Sequence, residues 1–249
     1  MIKTRIIPIL LLKGNSVVKT VMFKEPRIVG DAVTNVKVFS SRLADEMVIV
    51  DIEATKRGTI NQSLIQRLAS FCIMPLTLGG GIKNLSDADM LFRSGADKVA
   101  VNSEYYTTPH LLSEIADKFG SQSVVFSLDV KKVNNEYKAA SHSGQRLHGD
   151  VLKAAVEAVE HGAGEIILNS IDNDGTMNGF DLELIKLVSE EVSVPIVVAG
   201  GCGDKKHCVD AVKEGGAAIA AGSIFYWVGE SIITIKEFMS ENGIAVRIT

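Results

Sequence analysis

Two glycine-rich turns end two apolar runs in this chain of 249 residues, and each has a copy elsewhere in the chain. Pro75-Leu-Thr-Leu-Gly-Gly-Gly81 recurs as Pro195-Ile-Val-Val-Ala-Gly-Gly201. Gly95-Ala-Asp-Lys-Val-Ala-Val-Asn-Ser103 recurs as Gly215-Gly-Ala-Ala-Ile-Ala-Ala-Gly-Ser223, at the same offset of 120 residues. A residue without a Cβ lets backbone N–H groups approach a phosphate closely, and a following helix N-terminus adds a favourable dipole. Gly80, Gly81, Gly201, Gly203 and Gly222, with the side chains of Asn102, Ser103 and Ser223, are therefore candidate phosphate ligands. One such turn would be an ordinary turn. Two pairs related by a repeat predict two facing phosphate sites, and hence an elongated ligand with a phosphate at each end.

Asp129, in Ser127-Leu-Asp-Val-Lys131, is the candidate proton-transfer group. The repeat aligns Leu128-Asp-Val-Lys131 with Leu10-Leu-Leu-Lys13, so the counterpart of Asp129 is Leu11, which cannot move a proton. Asp51 and the segment Asp172-Asn-Asp-Gly-Thr176 supply further carboxylates, with Asp174 and Gly175 as candidate ligand contacts; an Asp-Gly pair also reads as a turn. Lys19 lies in the long segment from Lys13 to Asp31, a candidate lid. A second set, Arg5, Glu46, Lys98 and Glu165, precedes or begins apolar runs. Those charges form either a ring around an axis or four unrelated surface groups. The five histidines and the cysteines Cys72, Cys202 and Cys208 have no metal-ligand or disulfide spacing, so neither metal nor cofactor is expected.

Positioning these residues requires short strands alternating with amphipathic helices. Apolar runs at Ile6–Leu12, Met47–Ile52, Ile73–Leu78, Lys98–Val101, Val124–Val130, Glu165–Asn169, Ile196–Ala199 and Ala218–Ala221 read as strands covered on both faces. Helical patterns follow at 31–43, 63–70, 87–93, 109–119, 152–160, 182–191, 205–213 and 232–241. Thr108-Pro109, Ser86 and Asp181 are the predicted starts of three of them, and Gly120, Gly162 and Gly243 are predicted stops. Eight such units predict one (βα)8 barrel over residues 1–249, built from two half-barrel repeats. An open doubly wound sheet is the alternative, but no glycine fingerprint follows the first strand. In a barrel, function belongs at the C-terminal ends of the strands, where the glycines concentrate.

Composition narrows the function classes. Hydrophobic residues make 46% and charged residues 22%, a globular mix, and the net charge of −4 gives no electrostatic reason to bind nucleic acid or an anionic membrane. The first apolar run is short, contains Pro8 and lacks a cleavage site, so it reads as a strand rather than a leader. Unpaired cysteines fit a reducing, cytoplasmic setting.

Arg5-Ile-Ile-Pro8, Asp97-Lys-Val99, Phe119-Gly-Ser-Gln122, Gly162-Ala-Gly-Glu-Ile166, Ser170-Ile-Asp-Asn-Asp-Gly-Thr176 and Asp181-Leu-Glu-Leu184 stand in the order and register of one family. Across essentially its full length the chain resembles HisF, the cyclase subunit of imidazole glycerol phosphate synthase. The resemblance implies a (βα)8 barrel that docks a HisH-like glutaminase at its N-terminal face. Ammonia would pass along the axis to the C-terminal mouth and react there with a bisphosphorylated substrate, giving imidazole glycerol phosphate and an aminoimidazole carboxamide ribotide. It implies further that Arg5, Glu46, Lys98 and Glu165 gate the channel and that Asp97 lies at the glutaminase interface.

The departures are specific. The family uses one aspartate at the end of the first strand and one at the end of the fifth. Asp129 matches the second, and Leu11 replaces the first. Loss of a positioned acid or base costs ~10²–10⁴ in rate, so weak cyclase activity is expected. Asn169 stands where the family usually has threonine, and Lys138-Ala-Ala-Ser-His-Ser-Gly-Gln-Arg146 departs from the pattern. Ile9-Leu-Leu-Leu-Lys-Gly14, Val17-Val-Lys-Thr20 and Leu168-Asn-Ser-Ile-Asp172 resemble a branch encoded with surface-polysaccharide genes, such as those for lipopolysaccharide O-antigen. That branch implies ammonia delivery to a separate sugar amidotransferase making an acetamidino sugar. Three readings follow: an ammonia-channelling subunit for sugar modification, a working cyclase of histidine biosynthesis, and a scaffold that activates a glutaminase without chemistry of its own.

Overall fold

The computed structural model describes residues 3–248. In chain order its main elements are β1 (Arg5–Lys13), β2 (Ser16–Val21), β3 (Lys24–Asp31), α1 (Ala32–Ser40), β4 (Met47–Asp51), α2 (Ala54–Arg57), α3 (Gln62–Ala69), β5 (Leu76–Gly79), α4 (Leu85–Arg93), β6 (Lys98–Val101), α5 (Leu111–Phe119), β7 (Val124–Val133), β8 (Glu136–Ser141), β9 (Arg146–Asp150), α6 (Val151–Glu160), β10 (Glu165–Ser170), α7 (Leu182–Ser189), β11 (Ile196–Ala199), α8 (Lys205–Lys213), β12 (Ala218–Ala221) and α9 (Ile232–Glu241).

Eight of these strands pair in parallel in the order β1, β4, β5, β6, β7, β10, β11, β12, and β12 pairs back onto β1. The sheet therefore closes, and the chain is the predicted (βα)8 barrel. Closure leaves none of these eight strands at a free edge, as an open sheet would leave two. The order also places β5 opposite β11 and β6 opposite β12, four positions apart either way round.

Side chains alternate across each strand, which divides the core into two layers. Ile6, Leu10 and Leu12 of β1 join Met47, Ile49, Phe126 and Leu128 in the layer packed under the helices. Ile7, Val48, Ala100, Val125, Ile167, Val197 and Ala220 form a separate cluster inside the barrel, with Ile9 and Val50 against it. The same period of two carries one inward row from end to end of each strand. On β1 that row is Arg5, Ile7, Ile9, Leu11; on β10 it is Glu165, Ile167, Asn169.

Several local expectations need correction. The segment from Lys13 to Asp31 is not a loose lid but the hairpin β2–β3, with β2 antiparallel to β1 from Lys13–Ser16 to Leu11–Val18. A second hairpin, β8–β9, extends β7 antiparallel beyond the barrel. Neither hairpin reads as strands in the sequence, because each lies outside the repeating strand–helix pattern and its antiparallel pairing onto β1 or β7 is set by the fold. Thr108 does not cap α5. Its hydroxyl donates to Glu104 Oε1, and the helix begins at Leu111 after His110. Asn84, not Ser86, caps α4 by accepting from Asp87 N at 3.0 Å, whereas Asp181 does cap α7. β5 starts at Leu76, leaving Ile73 outside it and exposed.

Among the described residues no helix is long and apolar enough to cross a membrane.

Candidate functional site

The C-terminal ends of the barrel strands open into a cavity of about 410 Å³. Gly80 and Gly81 line it from one side and Gly200 and Gly201 from the other, with Asn102 and Ser103 facing Gly222 and Ser223. The glycines are required by close approach. A Cβ on Gly80 would collide with the carbonyl oxygen of Asp51, and one on Gly201 with that of Gly179; both residues also have positive φ, 102° and 109°. Gly203 does not line the cavity. Its N–H points to His207 Nδ1 at 3.2 Å as part of the cap of α8, so it supports the loop from behind.

Asp129 sits at the centre of the mouth. Asn102 Nδ2 donates to its Oδ2 at 3.3 Å, and Asn169 Nδ2 donates to its Oδ1 at 3.5 Å. Burial pushes its carboxyl up to about 8, the negative charge of Asp174 adds to this, and the hydrogen bond from Asn169 opposes it. At neutral pH the group holds its proton and is a donor rather than a base. Asn169 Oδ1 is buried with no hydrogen-bond partner.

Lys19 reaches into the mouth from β2. It is buried, donates to Ile9 O at 2.8 Å, and lies so close to Gly222 that any side chain there would displace it. Burial lowers its ammonium to about 8, with Asp174 acting the other way. Asp174 accepts from Thr20 Oγ1 at 2.8 Å, and its carbonyl accepts from Met22 N. The β2–β3 hairpin is thus clasped to the loop after β10, and Gly175 packs against the carbonyl of Thr20. Asp51 lines the mouth but is engaged: Arg57 Nη2 pairs with its Oδ2 at 2.6 Å, and Glu53 N donates to its Oδ1. Asp172 lies outside, accepting from Lys132 N.

At the opposite end, Arg5, Glu46, Lys98 and Glu165 form a closed ring. Arg5 pairs with Glu46 at 2.7 Å and Glu165 at 2.6 Å; Lys98 pairs with the same two carboxylates at 3.0 and 2.9 Å. Each cation meets two anions and each anion two cations. Such a network holds its geometry better than separate surface pairs. Asp97 is exposed beside it, and its Oδ2 accepts from Leu76 N at 2.8 Å.

A family model described as histidine biosynthesis protein matches residues 5–229. Curated relatives extend the match. An imidazole glycerol phosphate synthase subunit HisF of Chloroherpeton thalassium is 41% identical over 253 residues, covering 100% of both chains. One from Bacillus licheniformis is 42% identical, covering 99% of this chain and 100% of its own. The chain belongs to the HisF family. A further relative from Leptospira borgpetersenii, 43% identical over 92% of each chain, carries the HisF name only provisionally.

Within this HisF-family barrel the cavity gathers Leu11, Lys19, Asp51, Gly80, Gly81, Asn102, Ser103, Asp129, Asn169, Asp174, Gly175, Gly201, Gly222 and Ser223. It also gathers His142, Ser143 and Arg146, which sequence reasoning passed over. Their signal was a polar run in a segment, Lys138–Arg146, that departs from the family pattern. Cys202 and Cys208, six positions apart in the chain, also come together, their sulfurs 3.6 Å apart as free thiols.

Proposed function

We propose that this chain is the synthase subunit of a glutamine-dependent complex of the imidazole glycerol phosphate synthase kind. Its barrel admits ammonia at the charged ring, passes it along the apolar axis, and delivers it to a bisphosphorylated ligand held across the mouth. One observation carries the reading: two inward rows run from a ring residue, through an apolar side chain, to an asparagine beside Asp129. Glu165, Ile167 and Asn169 make one such row, and Lys98, Ala100 and Asn102 another. Ammonia is small and neutral, so an apolar passage carries it without desolvating a charge, while ammonium and water are disfavoured there.

In this reading the ring and exposed Asp97 meet a HisH-like glutaminase. The opposed glycine turns hold the two phosphates, and protonated Asp129 donates to the reacting centre as ammonia adds. The names of the relatives support the cyclase of histidine biosynthesis as the reaction. The test is to combine the chain with its glutaminase and follow imidazole glycerol phosphate formation from the bisphosphorylated ribotide, once with glutamine and once with ammonium salt. Product in both arms, with glutamine the better nitrogen source only when the glutaminase is present, is expected. No product in either arm refutes the cyclase reading.

Leu11 favours a second reading. With no acid or base at the end of β1, the same barrel serves as a conduit for a sugar amidotransferase of surface-polysaccharide synthesis. Glutamine-dependent amidination of a nucleotide-linked sugar by the three proteins together, lost when this chain is omitted, is the outcome that selects it.

A further inference from the structure

The β8–β9 hairpin forms one wall of the mouth. Asp129 pairs in register with Ala140, and Asn102 Nδ2 binds both Asp129 Oδ2 and Ala140 O at 3.3 Å, tying the hairpin to the central carboxyl. Just beyond, the chain turns through His142, Ser143 and Gly144, all with positive φ, at 53°, 57° and 77°. The β7–β8 turn fills such positions with Asn134 and Asn135, residues that tolerate the left-handed region. Here a histidine takes the place, and its ring lines the cavity.

That ring is not isolated. Ser141, fully buried, holds its hydroxyl 2.9 Å from His142 Nδ1 and 2.7 Å from His148 Nε2. A hydroxyl has one proton, so Ser141 donates to one ring and accepts from the other. His148 lies on the exposed side of the hairpin. Its plane is fixed by Tyr106, stacked on it at 3.8 Å with 7° between the rings. A continuous chain of hydrogen bonds therefore leads from the mouth to solvent through two imidazoles and a hydroxyl.

We propose that His142 is a proton-transfer residue of the mouth, connected through Ser141 to His148 and by it to bulk water. This rests on the reading of the mouth as the place where ammonia reacts. Attack of ammonia on an electrophilic carbon sheds a proton from nitrogen and places one on the group displaced, so it needs both a proton acceptor and a proton donor. Asp129 supplies the donor, and the row on β1 ends in Leu11, so the acceptor must come from another wall. His142 Nε2 takes the proton shed by the attacking nitrogen. The ring then gives its Nδ1 proton to Ser141 Oγ, the serine proton passes to His148 Nε2, and His148 releases its Nδ1 proton to water. No bond other than these N–H and O–H bonds changes, and no oxidant is involved. The electrostatics agree: burial lowers the affinity of both rings for a proton, with Arg146 and, for His148, His142 adding to it. Both rings are neutral at neutral pH, while Asp129 across the cavity holds its proton. Arg146 and His148 act directly on His142, and Lys19, Asp51, Lys83, Glu104, Asp129 and Asp174 are the other charged groups on the wall of the cavity.

The ring nitrogens of the five histidines, followed by long-range ¹H–¹⁵N NMR through an acid-to-neutral titration of the full chain, test the connection without any need for turnover. His142 and His148 are expected to titrate as a coupled pair, and Ser141→Ala to separate them into two independent curves. Independent titration in the parent chain overturns the relay. Ammonium-driven turnover of the bisphosphorylated ribotide tests the role. His142→Gln is expected to lower kcat ~10²-fold with little change in KM and to remove one limb of the pH profile. His148→Gln is expected to lower kcat by less and to make it sensitive to added buffer. An unchanged kcat in His142→Gln overturns the role even if the coupling is seen. Coupled titration in a parent chain without turnover supports the relay while refuting the cyclase reading, so the two fail separately.

Discussion

Arg5 and Leu11 lie on the same inward face of β1, at opposite ends of one row with Ile7 and Ile9 between them. Arg5 is bound to two carboxylates in the ring, whereas Leu11 contributes only methyl groups to the mouth. The strand that carries a ring residue at one end therefore carries no acid or base on the same face at the other. Leu11→Asp would put a carboxylate on the same face as Asp129, at the position where the family carries its other aspartate. Ammonium-driven turnover is expected to rise at least ~10-fold, within the range assigned to a positioned acid or base. No rise would show that the surrounding mouth is adapted to different chemistry.

Asp129 links the mouth to stability through pH. Its carboxyl titrates near 8 in the folded chain, well above the value of 3.8 for an ordinary aspartate. Between those values the folded chain holds a proton that the unfolded chain has released. Stability from this group is therefore full at acid pH and declines as pH rises towards 8. Asp129→Asn removes that slope. Urea midpoints are expected to show the variant gaining on the parent as pH increases from about 5 to about 8, while ammonium-driven turnover falls ~10²-fold or more. A parallel pH dependence for both proteins would contradict the raised value.

Glu165→Gln tests the ring. Glu165 accepts from both Arg5 and Lys98, and its side chain is only 7% exposed. Glutamine keeps the shape but removes the charge, leaving two cations facing one anion. A loss of about 1–3 kcal/mol is expected, below the 3–5 kcal/mol of a fully buried pair because the ring partly meets water. If the ring regulates passage, glutamine-driven turnover should drop several-fold more than ammonium-driven turnover. Equal loss in both would assign the ring to stability alone.

Gly201→Ala and Gly229→Ala make a matched pair. Both positions have positive φ, but a Cβ at Gly201 meets the carbonyl of Gly179, whereas one at Gly229 meets nothing within 4 Å. The shared backbone strain costs about 1–2 kcal/mol. The collision adds to it only at Gly201 and pushes the turn out of place. Gly201→Ala is expected to lose more thermal stability than Gly229→Ala and to weaken inorganic phosphate binding ~10-fold or more. Equal effects would remove the reason given for a bare backbone in that turn.

Much of this was legible because barrel strands are short, apolar and covered on both faces. β6, β11 and β12 and helices α8 and α9 fall on their sequence limits. The repeat pointed to Gly80, Gly201, Asn102 and Ser223 before any geometry was known, and the fold gathers them in one cavity. What escaped is what long-range contact decides. Lys19 is a candidate from its place in the 13–31 segment, but its burial is not legible there, because the hairpin pairing of β2 with β1 is what turns it inward. Asp51 looks like a free carboxylate until α2 brings Arg57 to it. His142 and His148 carry no spacing signal, because a β-turn rather than a helix face brings them to one serine.

Lys236 shows the same limit and supplies the sharpest stability test. It sits in α9 as one charged residue of an ordinary amphipathic helix, yet it is only 2% exposed. Its Nζ donates to Leu43 O and to Asp45 Oδ1, both at 2.7 Å, and Asp45 Oδ2 accepts from Ile6 N at 2.8 Å. The last helix is thereby fastened to the start of β1, between Arg5 and Glu46 of the ring. Lys236→Met would leave the Asp45 carboxylate, 9% exposed, without that donor, and about 3–5 kcal/mol of stability is expected to be lost. Adding Asp45→Asn removes the stranded charge while keeping an amide to engage the Ile6 N–H, so the double variant should recover part of the loss. Denaturant midpoints of the parent, both single variants and the double variant give the coupling energy directly. Additive losses would mean that the two residues do not act as a pair, and that the attachment of α9 to the ring rests on apolar packing alone.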